Sequence, residues 1–355
     1  MKPEFWNGKR VLLTGHTGFK GAWLSLWLRQ LGATVTGLSL APADQPNLFE
    51  QAAVAAGLRS EIGDVRDLAF VERVVSAAEP EIVLHLAAQA LVRRSYRDPI
   101  GTYATNVLGT AHLLDAVRRL APARAVVVVT SDKCYENREW IWPYREDEAM
   151  GGADPYSSSK GCAELVVSAY RKSYFASQGI GLASARAGNV IGGGDWSEDR
   201  LIADLVRGFG SGLPVLIRAP RAVRPWQHVL DALSGYLLLA ERLYAEPVRY
   251  GEGWNFGPPA EDATEVRPIA ERMAARWGDG ASWTTEEGNP GPHEAHLLML
   301  DASKARLHLG WRPRLSLDAA LDWIVDWHRA QVRGEDMRAV TLGQLQQYQA
   351  LPARS

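Results

Sequence analysis

A tyrosine and a lysine stand four residues apart in Tyr156-Ser157-Ser158-Ser159-Lys160. On a helix that spacing puts both side chains on one face, one turn apart. A phenol titrates near ~10 and is a poor base at neutral pH. A neighbouring ammonium favours the phenolate and lowers that value. Such a pair can take a hydroxyl proton while hydride leaves the same carbon. Upstream lies Thr130-Ser131-Asp132-Lys133-Cys134-Tyr135. Ser131 can hydrogen-bond the reacting hydroxyl, and Asp132 with Lys133 offers an acid and a base side by side. The bland alternative is an ion pair between those two. Cys134 has no histidine beside it to activate a thiolate and reads as a small packing residue. Lysine is scarce here, seven of the 39 basic residues, and three of the seven are Lys20, Lys133 and Lys160. A buried lysine can trade protons where arginine stays charged.

A third cluster precedes both. Thr14-Gly15-His16-Thr17-Gly18-Phe19-Lys20-Gly21 carries three glycines at G-x-x-G-x-x-G spacing. It follows an apolar strand and opens a helical pattern, the context a dinucleotide-binding loop requires. The first glycine permits the tight turn, the second lets backbone N–H groups approach a pyrophosphate, and the third allows close helix–strand packing. The helix N-terminus then faces the anion with unsatisfied donors. Gly37-Leu38-Ser39-Leu40-Ala41-Pro42 has neither the usual ribose-binding carboxylate nor an arginine suited to a 2′-phosphate. That favours NAD over NADP, with Ser39 or Asp44 as the substitute ribose contact. Asp64, in Gly63-Asp64-Val65, can accept a hydrogen bond from the adenine amino group, or be no more than a turn aspartate.

The elements that must hold these groups alternate. Strands are expected at Val11–Thr14, Thr34–Leu38, Ile82–Leu86, Ala125–Thr130 and Leu182–Ala185. Helices are expected at Lys20–Leu31, Asp67–Ala78, Pro99–Leu120 and Pro155–Gln178. Repeated βα alternation argues for an α/β fold, a Rossmann-type doubly wound parallel sheet. Ser131 to Tyr135 then fall at the carboxyl end of a core strand, where such sheets bind ligands. The expected division is a dinucleotide-binding domain over 1–187 and a smaller, mixed substrate lobe over 188–355. Asp231–Arg242 and Trp254–Phe256, within 228–257, should pack back on the sheet. Gly334–Ser355 is polar and reads as partly loose.

Composition narrows the class. The chain has 355 residues, with 39 basic and 41 acidic side chains and a net charge of −2. That balance gives no electrostatic footprint for nucleic acid or an anionic membrane. Two cysteines cannot build a disulfide framework, and no apolar run approaches the ~18 residues of a membrane span. With no signal-peptide pattern at the N-terminus, the expectation is a cytoplasmic protein with a small-molecule substrate and no metal.

Taken together, the glycine loop, Asn106, the Ser-Asp-Lys strand end and Tyr156/Lys160 resemble the extended short-chain dehydrogenase/reductases. Within them, the blocks at 15–21 and 130–137 are similar to the CDP-glucose 4,6-dehydratase branch. So are Asn189-Val190-Ile191-Gly192-Gly193-Gly194-Asp195-Trp196 and Arg224-Pro225-Trp226-Gln227-His228-Val229. The sister dTDP-glucose dehydratases carry Thr-Asp-Glu where this chain has Ser131-Asp132-Lys133. The resemblance runs over about 4–330 and implies an NAD-dependent hydro-lyase. Tyr156, with Lys160 and Ser131, would take the sugar 4-hydroxyl proton. Asp132 would protonate the departing 6-hydroxyl, and Lys133 would take the C5 proton. It implies cofactor contacts from Gly15 to Gly21, Ser39, Asp64, Val65, Leu86, Ala87, Ala88, Asn106, Tyr156 and Lys160. Substrate contacts would come from Gln89, Asn189, the Gly192–Gly194 loop, Arg200, Leu201, Arg218, Arg224, Gln227 and His228. His293 and Glu294 belong to a similar stretch without an assigned role. The family commonly forms homodimers through two long helices, here Pro99–Leu120 and Pro155–Gln178. A nucleotide-sugar 4-epimerase would need the same loop and Tyr156/Lys160, but not the Asp132-Lys133 pair. A non-catalytic nucleotide sensor would need neither pair.

Overall fold

The computed structural model describes residues 1–43, 45–259, 262–285 and 297–354; Asp44, His293 and Glu294 lie outside these. Seven parallel strands form the central sheet: β1 (Arg10–Thr14), β2 (Thr34–Ser39), β3 (Arg59–Ile62), β4 (Ile82–His85), β5 (Ala125–Val129), β6 (Gly181–Ala187) and β10 (Gly253–Phe256). Their spatial order is β10-β6-β5-β4-β1-β2-β3. Every residue of β4, β5 and β6 is buried. Helices cover both faces, so β5 reads as an unbroken apolar run rather than an alternating one. The order reverses between β1 and β4, and the loops after them part to leave a crevice at the strand ends.

The helix Phe19–Gln30 follows β1 directly and buries Ala22, Trp23, Leu24, Leu26, Trp27 and Leu28. Gly18 precedes it without a side-chain cap, so its first N–H groups are left for a ligand. The expected helix over 99–120 is broken in its middle. Pro99–Tyr103 and Gly109–Leu120 are α-helical, and Ala104–Leu108 between them is a π-turn. Helical periodicity is nearly unchanged by one extra residue, so the insertion was invisible in the sequence. Pro155–Tyr170 is likewise continued by a π-turn over Arg171–Phe175. Asp154 caps it, accepting a hydrogen bond from the Ser157 amide at 2.9 Å.

Beyond residue 188 lie two small sheets. β7 (Asn189–Ile191), β9 (Val223–His228) and β11 (Ala263–Glu265) form one; β8 (Val215–Ile217) and β12 (Trp283–Thr285) form the other. Ile202, Leu205, Phe209, Ile269, Met273, Leu321 and Ile324 make a separate core beneath them. The chain then returns: Val229–Ala245 shares the main core with β5 and β6, and β10 pairs in parallel with β6.

The last segment departs from its polar appearance. Met337–Ala350 is a helix that buries Met337, Thr341, Leu345 and Tyr348. The Tyr348 ring lies 5.6 Å from that of Trp27, and its hydroxyl donates to Asp231 Oδ1 at 2.7 Å. Arg314 caps the C-terminus by donating to the carbonyls of Tyr348, Gln349 and Leu351. Few but large contacts, and partners far away in the chain, hold this helix. Local composition carries no trace of them. Among the described residues no helix is long and apolar enough to cross a membrane.

Candidate active site

The crevice at the switch point opens into a cleft of about 740 Å³ that runs from the glycine loop to the second lobe. The loop's shape is fixed by its own backbone. Gly15 has φ +78°, and a Cβ there would lie 2.8 Å from the Ala87 amide. At Gly21 a Cβ would meet the Gly15 carbonyl at 2.0 Å. Gly18 differs: only the Gly15 carbonyl lies near, at 3.5 Å, so its missing side chain leaves room on the cleft side. That is the cradle a pyrophosphate needs above a helix N-terminus. Thr14 Oγ1 joins the two strand ends, accepting from the Leu86 and Ala87 amides at 3.1 Å each. It also bonds His85 Nδ1 at 2.7 Å, and His85 Nε2 reaches Thr110 at 3.1 Å. Burial holds the His85 imidazole down to about 3, so this link is neutral.

Ser39, Asp64, Val65, Leu86, Ala87 and Ala88 line the cofactor side of the cleft. Ser39 bonds Thr17 through their hydroxyls at 2.8 Å. Asp64 is held by Arg66 at 2.6 Å, which keeps its carboxyl below the usual range. His16 and Asn106 do not reach the cleft with their side chains. The His16 ring is buried against Gly37 and bonds Ser60 at 2.7 Å. Asn106 sits in the π-turn and ties the Gln89 backbone to Ser159, at 3.0 and 2.8 Å. The extra residue of the π-turn is what brings this amide to that junction.

The catalytic candidates converge at the ends of β5 and of the helix Pro155–Tyr170. Tyr156, Lys160, Ser131, Asp132 and Lys133 all line the cleft. Burial pushes the Tyr156 phenol up to about 12, while a hydrogen bond with Ser131 works against the shift. Burial also lowers the Lys160 ammonium to about 8, against the opposing charge of Glu164. Ser131 donates to Asp132 Oδ1 at 2.9 Å. Asp132 is 3% exposed, and among the described residues its Oδ2 has no hydrogen-bond partner. Burial raises this carboxyl although Lys133 and Arg224 pull the other way. A shift in this direction favours the neutral carboxyl, the form able to donate a proton. Lys20 belongs to the glycine loop by sequence but faces the same end. Burial first, then Arg200 and Lys160, bring it down to about 7.

Behind these groups stands a buried network with no local signature in the sequence. Glu164, one turn beyond Lys160, pairs with Arg186 at 2.7 Å, both almost fully buried. It also accepts from the hydroxyls of Thr130 and Ser184. Arg186 goes on to Tyr135 Oη at 2.7 Å, which donates to Asn255 at 2.7 Å. Thr130 directly precedes Ser131, so the network fixes the strand end that carries Ser131 and Asp132. The partners come from several elements, Ser184 and Arg186 from β6 and Asn255 from β10, and only the folded sheet brings them together.

On the substrate side, Asn189, Arg200, Leu201, Arg218 and Arg224 line the cleft. Arg200 pairs with the buried Asp195 at 3.0 Å, and Arg218 with Asp199 at 2.9 Å. Arg224 donates to the Val223 carbonyl at 2.9 Å. Gln89, Gln227 and His228 face elsewhere. Gln89 holds the Leu91 amide and Thr102, and Gln227 donates to the Phe256 carbonyl at 2.7 Å. His228 Nδ1 caps the following helix, accepting from the Leu230 amide. In the Gly192–Gly194 loop only Gly194 reaches the cleft; Gly193 packs beneath Trp327 and its carbonyl accepts from Trp23. Among the described residues no group of three His, Cys, Asp or Glu side chains is placed to hold a metal ion.

Known proteins share this arrangement. The profile of the family described as GDP-mannose 4,6 dehydratase matches residues 12–323. A CDP-glucose 4,6-dehydratase of Salmonella typhimurium is 54% identical over 99% of this chain and 99% of its own. The Thermus thermophilus UDP-glucose 4-epimerase, solved as a complex with NAD, superposes with a TM-score of 0.78 at 26% identity, covering 90% of this chain and 99% of its own. The fold alone is shared with DesIV, a dTDP-glucose 4,6-dehydratase of Streptomyces venezuelae, at a TM-score of 0.77 and 24% identity over 93% of this chain and 99% of its own. By sequence over nearly its whole length and by fold, the chain belongs to the GDP-mannose 4,6 dehydratase family.

Proposed function

We propose that the protein is an NAD-dependent hydro-lyase that converts CDP-glucose to CDP-4-keto-6-deoxyglucose. The observation that carries this reading is Asp132: a buried carboxyl with a free oxygen, beside the serine that bonds the tyrosine. A 4-epimerase needs the tyrosine and serine but has no use for a proton donor at the leaving group. The relative that is 54% identical is a CDP-glucose 4,6-dehydratase, which favours cytosine as the base.

NAD would be held by the loop from Gly15 to Gly21, over the space left at Gly18, and would supply the acceptor and donor for the hydride that moves from C4 to C6. The chain's own residues manage the protons. Ser131 orients O4, and Tyr156 takes the 4-hydroxyl proton, aided by the Lys160 cation one turn away. The 4-ketone so formed acidifies the C5 proton, which Lys133 removes and later returns. Asp132 protonates O6 as the C6–O bond breaks, and water leaves. Product and water account for every atom of the substrate, and no outside reductant is consumed. Arginines 200, 218 and 224 are placed to meet the diphosphate.

The same reading includes a homodimer built on the two long helical runs. It is supported by Ile100, Leu108 and Leu165, which leave 77%, 56% and 61% of their surfaces exposed. It places the enzyme in the cytoplasm, acting on a small nucleotide sugar.

The test is CDP-glucose carrying deuterium at C4. The expected product bears that label at C6 of the same molecule. Deuterium found only at C4, in unchanged or epimerised sugar, would overturn the assignment.

A further inference from the structure

The cleft continues well past the catalytic groups, and its charged residues report the order. Tyr156 senses Asp132, Arg200 and Asp154. Lys20 senses Arg200, Lys160, Asp132 and Asp195. Asp204 follows Arg200 by one helical turn, its amide donating to the Arg200 carbonyl at 2.9 Å, and its carboxylate faces Arg207 and Arg218. Along the cleft Tyr156 comes first, then Arg200 with Asp195, and beyond them Arg218, Asp199 and Asp204 together. A nucleoside diphosphate sugar with its hexose at Tyr156 lays its phosphates along the arginines and its base at the far end.

That far end is an apolar slot. Leu201, Val215, Ile217, Trp226 and Val266 wall it, and most belong to the lobe's own core. Asp204 stands in this wall, in the first turn of the helix Leu201–Gly210, and lines the cleft. Its Oδ1 accepts from Arg207, whose other nitrogen donates to the Trp196 carbonyl at 2.7 Å. The carboxylate is thereby fixed in orientation. Among the described residues no donor meets its Oδ2. Neighbouring carboxylates are already engaged: Asp199 by Arg218 and Arg93, and Asp195 by Arg200 and the Ser197 amide.

We propose that Asp204 reads the base: its Oδ2 accepts a hydrogen bond from the 4-amino group of cytosine and turns away 4-oxo pyrimidines. The inference rests on the nucleotide-sugar reading above. A carboxylate is an acceptor only, the 4-amino group is a donor, and the 4-oxygen of uracil or thymine is an acceptor. Opposed acceptors in a partly dehydrated slot leave both unpaired, and sites of this kind discriminate far more sharply than sites built on shape.

Binding of CDP and of UDP to the NAD-loaded protein, measured by calorimetry, tests this without turnover. The intact protein is expected to favour CDP by on the order of 100-fold, the discrimination one good base-reading contact supplies. In Asp204→Asn the side-chain amide can turn its oxygen to the 4-amino group of cytosine or its NH2 to the 4-oxygen of uracil, and the two affinities should converge to within about threefold. If that variant does not fold, CDP methylated twice at the 4-amino nitrogen serves on the unaltered protein; it should bind as weakly as UDP. UDP binding as tightly as CDP, an unchanged preference in Asp204→Asn, or full binding of the methylated CDP would each overturn the proposal. These outcomes separate from those of the labelled-sugar experiment. Label transfer with no base preference defeats Asp204 alone, and base preference with no label transfer defeats the dehydratase reading alone.

Discussion

Replacing Glu164 by glutamine strikes the network that carries the catalytic strand end. The side chain keeps its shape and loses its charge. Arg186, almost fully buried, is then left without its counter-ion. Breaking a buried pair from one side costs about 3–5 kcal/mol, because the stranded charge cannot reach water. Unfolding entropy of ~2.1 cal/mol/K per residue, over 355 residues, gives about 0.75 kcal/mol/K. The midpoint of thermal unfolding should therefore fall by ~4–7 °C. A second effect reaches the chemistry. Burial lowers Lys160 to about 8, and the Glu164 charge is the largest influence opposing it. Without that charge Lys160 drops further, and the ammonium that supports the Tyr156 phenolate is lost at lower pH. The alkaline limb of the rate profile should move toward neutrality. Calorimetric melting and a pH–rate profile on CDP-glucose read the two effects. In Glu164→Gln/Arg186→Met the stranded charge is gone, so most of the melting temperature should return while the displaced limb stays. A midpoint within a degree of the unaltered protein, or a limb that does not move, would refute the argument.

Other outcomes follow from the same geometry. Tyr156→Phe should abolish both C4 oxidation and water loss, since the proton acceptor serves the first step; steady-state NADH absorbance should stay at baseline. Lys133→Met should still oxidise C4 and accumulate reduced cofactor at 340 nm, on the order of one equivalent per site, with little product; normal turnover would remove Lys133 from the C5 role. Activity of the unaltered enzyme should decline as pH rises through about 8, the value to which burial brings Lys160, because the ammonium form is the one present below it. Leu108→Glu with Leu165→Glu should yield monomers by light scattering while each subunit keeps its melting transition.

The sequence carried the fold through its core. Five consecutive buried residues in β5 and the glycine spacing after β1 are local signals, and each appeared where expected. That Tyr156, Lys160, Ser131 and Asp132 share one cleft was legible for the same reason: neighbours in the chain remain neighbours in the fold. What escaped depended on distant partners. Glu164 looks like any helical glutamate until Arg186 and Thr130 arrive from two different strands. Gln89, Gln227 and His228 sit beside site residues in sequence, yet turn their polar atoms to backbone groups that strand pairing exposes there. Lys20 went the other way. A loop assigned to phosphate contacts sends its lysine to the catalytic end, a direction that only the helix axis sets.

The final helix, Met337–Ala350, spans a joint. Its tyrosine, Tyr348, touches Trp27, behind the phosphate loop, and the carboxylate of Asp231, on the helix that β9 feeds. During translation this brace emerges from the ribosome after every part it fastens. Until then Asp231 lacks its phenolic partner and Trp27 one of its apolar neighbours, so the two helices that carry them meet before they are locked. A ribosome stalled short of Met337 would hold a nascent chain with its cleft formed but its clasp undone, a ready substrate for chaperones and proteases.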